Sequence, residues 1–274
     1  MASSSSMPSL TYLAMQGNNL YYSEFPEFIS ECRNLTSLGL SHTKLSGYIP
    51  KVRFTNLRKL GYLKLSYNES KHNLSMNLLE GKIPSSIGQL RELQYLDLTD
   101  NSNSLVHSEL GLCTNLTHLS LSSNKLIGKL PLSLFNLNDL VGLGLAHNLF
   151  TGPILPALVS NWTEVVFLQL QNNCFSGTIQ PEIRLLTNLI DLDLSENQLS
   201  GPVPSDFGKY IKLRFVSFSS NNLSGEFPPE LCNGFALQDF RANHSNFTGA
   251  FPECFKNCLA LVRVHLKGKK LSKT

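Results

Sequence analysis

The chain has 274 residues, 42% of them hydrophobic and 16% charged, which is enough apolar content for a core in one elongated domain. A net charge of +3 leaves no electrostatic footprint for nucleic acid, and no apolar run approaches the length of a membrane-spanning helix. The opening stretch, Met1-Ala-Ser-Ser-Ser-Ser-Met7, has neither a basic n-region nor an apolar h-region, so it is not a secretion signal, and residues 1–9 are expected to be disordered or non-native.

From Leu10 onward one phrase recurs about ten times: L-x-x-L-x-L-x-x-N-x-L-x-G-x-[IVF]-P, followed by a short apolar tail. Its cleanest copies, Leu116 to Asp139 and Leu189 to Lys212, are 24 residues long. A period of roughly 20–29 residues with this leucine spacing is the signature of the leucine-rich repeat. It predicts an α/β leucine-rich repeat solenoid over residues 10–274, about ten and a half repeats with the last incomplete. A single unit cannot bury its own apolar face, so neighbours must stack. The L-x-L pairs alternate in and out, which is strand periodicity, and the strands should form one parallel sheet lining a concave face.

Asn18, Asn68, Asn101, Asn124, Asn148, Asn173, Asn197 and Asn221 follow the strands in turn. Facing inward, such an amide both donates to and accepts from backbone groups where the chain turns. Glycines at a fixed later offset, such as Gly128 and Gly201, imply a backbone conformation that a side chain would obstruct. Prolines such as Pro131 and Pro204 then set the outer edge. The register lapses: the units at Leu35 and Leu140 run to 25 residues and the unit at Leu93 to 23. The unit at Leu93 has His107 where proline belongs, and the polar stretch 69–76 interrupts the period and is expected to loop out.

Six cysteines, Cys32, Cys113, Cys174, Cys232, Cys254 and Cys258, have no zinc-like spacing, and neither a metal nor a cofactor is expected. Cys232 and Cys258 lie at nearly the same station of adjacent repeats, so a bridge between them is expected, with Cys254 left over. N-x-[ST] acceptors occur at Asn34, Asn68, Asn73, Asn115, Asn161, Asn222, Asn243 and Asn246, which favours an extracellular design.

The wording L-S-G-x-[IV]-P, with Gly81-Lys-Ile-Pro-Ser-Ser-Ile-Gly-Gln-Leu-Arg-Glu-Leu93, Ser160-Asn-Trp-Thr163 and Pro229-Glu-Leu-Cys232, resembles the plant-specific repeat class of receptor-like kinase and receptor-like protein ectodomains. The resemblance implies a right-handed superhelix and, in the whole relative, a signal peptide, a cysteine-paired cap, a membrane span and a kinase. None of the kinase motifs is in this chain, so it reads as a non-catalytic fragment that does not itself insert into a membrane. Some relatives hold a peptide's C-terminal carboxylate with an R-x-R pair; Arg241-Ala242-Asn243 has only the first arginine.

Residues flanking the inward leucine point to the concave face in register. The column before it reads Tyr12, Ser37, Tyr62, Tyr95, His118, Gly142, Phe167, Asp191, Phe215, Asp239, Arg263; the column after it reads Ala14, Gly39, Lys64, Asp97, Ser120, Gly144, Gln169, Asp193, Ser217, Arg241, His265. Aromatics and arginine are the usual anchors of interfaces. The leading ligand-binding candidate is therefore Phe167, Gln169, Asp191, Asp193, Phe215, Arg241, Arg263 and His265. A secondary one is Tyr62, Lys64, Tyr95, Asp97 and His118. Asp97, His118 and Ser120 superficially form a Ser-His-Asp set, but an open sheet offers no oxyanion hole. The expected function is recognition of a peptide or protein ligand, with a co-receptor as a further partner, on the outer side of the plasma membrane. The alternatives are a secreted inhibitor of a wall-degrading enzyme and a nonfunctional receptor remnant.

Overall fold

A computed structural model describes residues 7–20, 24–49, 54–66 and 78–267. The expected loop 69–76, the acceptors Asn68 and Asn73, residues 1–6 and the incomplete last repeat beyond residue 267 lie outside that set. The chain divides into two compact units, Met1–Ile127 with Pro131–Asp139, and Gly128–Leu130 with Leu140–Thr274.

Each unit is a stack of repeats built on a parallel main sheet. In the first, the strands Tyr12–Ala14, Ser37–Gly39, Tyr62–Lys64, Tyr95–Asp97 and His118–Ser120 pair in that order, with Leu13, Leu38, Leu63, Leu96 and Leu119 in register. In the second, Gly142–Gly144, Phe167–Gln169, Asp191–Asp193, Phe215–Ser217, Asp239–Arg241 and Arg263–His265 pair likewise. Three-residue strands suffice because each contributes one inward side chain, and Leu38, Leu63, Leu96, Leu168, Leu192, Val216 and Phe240 are all buried. The flanking residues on both sides of that leucine are left on the open face of the sheet.

The asparagine after each strand fastens one repeat to the one before it. Asn173 Nδ2 donates to Leu145 O, Leu170 O and Gln171 O at 2.9, 3.2 and 3.3 Å, while its Oδ1 accepts the Phe150 N–H at 3.0 Å. Asn197 repeats the pattern on Leu170, Leu194, Ser195 and Phe175, and Asn221 on Leu194, Phe218, Ser219 and Leu199. One amide thus satisfies four backbone groups that no regular ladder reaches. The residue before each asparagine is left-handed, as at Asn172, Glu196 and Ser220 with φ near +54°, and this is how the chain turns the amide inward. At Ser245 the ladder continues in shortened form, the hydroxyl donating to Phe218 O at 2.8 Å.

Two features differ from expectation. The N-x-L-x-G segments are not mere punctuation but a second parallel sheet. In the second unit it comprises Leu149–Pro153, Cys174–Gly177, Gln198–Pro202, Asn222–Gly225 and Asn246–Phe247. Gly201 sits there at φ +75°, a conformation that favours glycine, and a Cβ on it would stand in tight contact, 3.0 Å from Thr178 Cγ2. The helical part is almost wholly 3-10: Ser85–Gln89, Leu132–Asn136 and Pro181–Leu185 each span five residues, and the one α-helix, among the described residues, is Pro156–Val159. Runs this short close i→i+3 bonds, as Ile87 N–H to Pro84 O at 3.0 Å, before a full α-turn is established.

The 23-residue unit at Leu93 carries a defect in its core. Asn103 fills the fully buried station that Leu126, Phe150, Phe175 and Leu199 occupy elsewhere. Its N–H and Nδ2 both donate to Asn124 Oδ1 at 3.0 Å, and its own Oδ1 is buried without a partner. The second-sheet register slips at the same point, between Gly81 and Lys82 opposite Asn103 and Leu105.

Asn197→Ala should lower the unfolding free energy by about 2 kcal/mol or more, because it orphans the Phe175 N–H and inward carbonyls. Denaturant titration checks this, and a loss below about 0.5 kcal/mol would contradict the clamp. In contrast, Asn103→Leu should stabilise the chain by about 1 kcal/mol, since it removes an unpaired buried carbonyl and restores the apolar station. An unchanged or lower denaturation midpoint would show that the amide is needed where it is.

Candidate binding surface

In the second unit the expected residues do share one open face. Phe167, Asp191, Phe215, Asp239 and Arg263 are paired strand to strand, as are Gln169, Asp193, Ser217, Arg241 and His265. Phe167, Gln169, Arg263 and His265 are exposed, and Asp191, Asp193, Phe215 and Arg241 half-buried. Both arginines are engaged with Asp239. Arg241 Nε and a terminal nitrogen donate to the two Asp239 oxygens at 3.1 and 2.8 Å, and Arg263 Nε lies 3.6 Å from Asp239 Oδ2. Asp239 was in the column but was not singled out, although Asp-x-Arg on one strand places both side chains on one face. The pairing leaves two guanidinium charges against one carboxylate, with Arg263 the more open.

The Arg241 guanidinium also stands 5.2 Å over the Phe215 ring, a cation–π contact. Asp193 Oδ1 accepts the Ser195 N–H at 2.9 Å and its hydroxyl at 2.6 Å. Burial raises its carboxyl above the usual range, against the lowering effect of these bonds and of Arg241. Burial raises Asp191 as well, opposed by Arg214. The face therefore runs from an acidic end to a basic one.

The first unit assembles the secondary cluster. Tyr62 and Tyr95 stack with centroids 4.5 Å apart and planes 12° from parallel, and His118 lies 5.8 Å beyond Tyr95. Burial, then Asp97 and Tyr62, raises the Tyr95 phenol. Asp97 is buried and engaged, accepting from Ser66 Oγ at 2.7 Å and the Thr99 N–H at 3.0 Å, with Lys64 Nζ at 3.8 Å. Ser120 Oγ pairs with Thr99 Oγ1 at 2.7 Å, and His118 Nδ1 with Thr117 Oγ1 at 3.0 Å, so Asp97, His118 and Ser120 form no relay.

All six cysteines are free thiols, so the expected Cys232–Cys258 bridge is not formed. Hydrogen bonding to Cys254 is the chief influence raising the Cys232 thiol, with Cys258 a lesser one, and the same bond lowers Cys254. Cys254 and Cys258 belong to one 3-10 turn and its cap, where positions three to four apart share a side, so both thiols act on Cys232. Cys113 is buried, donates to Ile87 O at 3.2 Å, and is pushed up to about 12 by burial. No group among the described residues has the makeup of a metal site, and no described helix is long and apolar enough to cross a membrane. Of the glycosylation acceptors, Asn115, Asn222 and Asn246 are exposed. Asn34, Asn161 and Asn243 are half-buried, with side-chain amides engaged by Pro8, Ala157 and His244.

The raised Asp193 carboxyl gives a pH test. A folded-state pKa above the unfolded one penalises the charged form; the penalty is full above the folded pKa and vanishes below the unfolded one. Asp193→Asn should therefore melt higher than the parent near neutral pH, and the gap should close as pH falls toward about 4. A gap that is constant with pH would mean that the carboxyl is not perturbed.

Residues 115–137, 188–210 and 212–233 match the family model described as Leucine Rich Repeat. Over 99 residues the chain is 35% identical to receptor-like protein 32 of Arabidopsis thaliana, covering 29% of this chain and 11% of that protein. Over 114 residues it is 37% identical to the Arabidopsis serine/threonine-protein kinase BRI1-like 1, covering 39% and 9%. These matches thus span about a tenth of either relative. Among solved structures, the Arabidopsis receptor kinase HAESA, in complex with the peptide hormone IDA and the co-receptor SERK1, superposes with a TM-score of 0.83 at 31% identity, over 96% of this chain and 42% of that one. The chain thus carries leucine-rich repeats stacked as parallel strands, and the Arabidopsis proteins that it resembles here are a receptor-like protein and receptor kinases.

Proposed function

We propose that the open face of the main sheet binds an extended peptide, as the recognition part of a plant receptor acting outside the cell, and that it has no catalytic role. The observation that carries this is the in-register row from Phe167 to Arg263, where aromatic, acidic and basic stations share one open face, Phe167 and Arg263 exposed at its two ends. The resemblance to a peptide-hormone receptor supports it. A basic group of the peptide would lie by Asp191 and Asp193, an apolar side chain by Phe167 and Phe215, and a carboxylate by Arg263 and His265. Because Asp239 already holds Arg241, that arginine orients the basic end and Arg263 makes the direct contact. A second receptor chain, as in the HAESA complex, and glycans at Asn115, Asn222 and Asn246 belong to the same reading.

Selection of a displayed peptide library against the full chain supplies ligands for the test. Arg263→Ala and Asp193→Ala should each weaken a selected peptide by about tenfold, since a charge-assisted contact is worth roughly 1.5–3 kcal/mol. Lys209→Ala, away from this face, should leave affinity unchanged. Undiminished binding by both open-face variants would refute the site.

A further inference from the structure

We propose that Tyr12, Ser37 and Tyr62 form a slot that takes one planar aromatic ring. The site is built wholly from residues of the Met1–Ile127 unit and does not rest on the peptide reading above.

Side chains at one station of successive parallel strands repeat at the strand spacing, roughly 4.8 Å. Tyr62 and Tyr95, on adjacent strands, follow that rule: their rings are 4.5 Å apart and nearly parallel. The same station on the two preceding strands holds Ser37 and then Tyr12, paired in register as Tyr12, Ser37, Tyr62. The aromatic column therefore skips one place. Tyr12 and Tyr62 stand two spacings apart, about 9.6 Å, which is the separation that admits one ring at stacking distance from each wall.

Other features give the gap the character of a slot. One face of the Tyr62 ring is taken by Tyr95, so its other face is the one turned toward Ser37. Tyr12 is 64% exposed, an aromatic wall in contact with water. At the neighbouring station Gly39 has no side chain, and the Gln16 amide lies where its Cβ would be. That amide closes one side with a donor and an acceptor within reach of a polar ring substituent, such as an indole N–H or a phenol hydroxyl. An aliphatic group fills such a slot less well, because it offers no flat face to either tyrosine.

The probe is N-acetyl-tryptophanamide, with N-acetyl-leucinamide as control, titrated against the full chain by saturation-transfer NMR. The wild-type protein should show saturable transfer to the indole and none to the leucine probe. Ser37→Tyr, which inserts the chain's own ring into the gap, should abolish the transfer without lowering the melting temperature. Tyr12→Ala, at an exposed position, should weaken binding by about two- to tenfold, one stacking contact being worth roughly 0.5–1.5 kcal/mol. The proposal is overturned if the wild type does not prefer the indole, or if folded Ser37→Tyr binds as well as the parent. Should Ser37→Tyr fail to fold, unchanged affinity in Tyr12→Ala overturns it alone.

Discussion

The inward asparagine amide is the interaction on which the rest depends. A repeat of about 24 residues must reverse direction within a few residues of each strand, and the reversal strands backbone groups that no ladder reaches. At Asn173, Asn197 and Asn221 a single side chain takes up four of these groups, and two of the four belong to neighbouring repeats or turns. The amide therefore joins local turn geometry to inter-repeat spacing. The left-handed residue before it is the accompanying cost, borne by ordinary residues such as Glu196 as well as by histidine and serine.

A fixed spacing turns the open face into a grid, and the grid explains both candidate sites. Where consecutive strands present aromatics, the rings stack, as Tyr62 and Tyr95 do. Where they present opposite charges, those charges meet, as Asp239 and Arg263 do across strands while Arg241 reaches Asp239 along its own. The buried side of the same strands is uniform, with leucine at nearly every inward position, giving way to Val216, Phe240 and Val264 toward the end of the second unit. Phe218, Phe227, Phe240 and Phe247 fill that stretch through edge and stacked contacts of 4.6–6.2 Å. Function can vary on one side of the strand because stability is supplied from the other.

The strand positions, the asparagine role and the grid columns were legible because each recurs at a fixed offset from repeat to repeat, the asparagine eight times, so many copies of a weak signal add up. The second sheet was not. Gln198 to Pro202 offers a single inward leucine between polar neighbours and a proline, too short for alternation to register, and its pairing depends on the stacking that the first sheet imposes. The Asp239–Arg241 pair was written in the columns, yet column order gives neighbours without saying which charges engage. Equal station along the repeat pointed to Cys258, and it does not disclose that Cys254, four residues earlier on the same turn, also acts on the Cys232 thiol.

The central claim is that recognition lies on the open face of the main sheet while the 3-10 side serves the fold. Backbone amide hydrogen exchange, with and without a saturating selected peptide, tests it most directly. Slowing should be confined to the strands from Phe167–Gln169 to Arg263–His265 and the residues that immediately follow them. Slowing centred on the 3-10 turns Pro181–Leu185 and Glu253–Asn257, with those strands unchanged, would contradict the account.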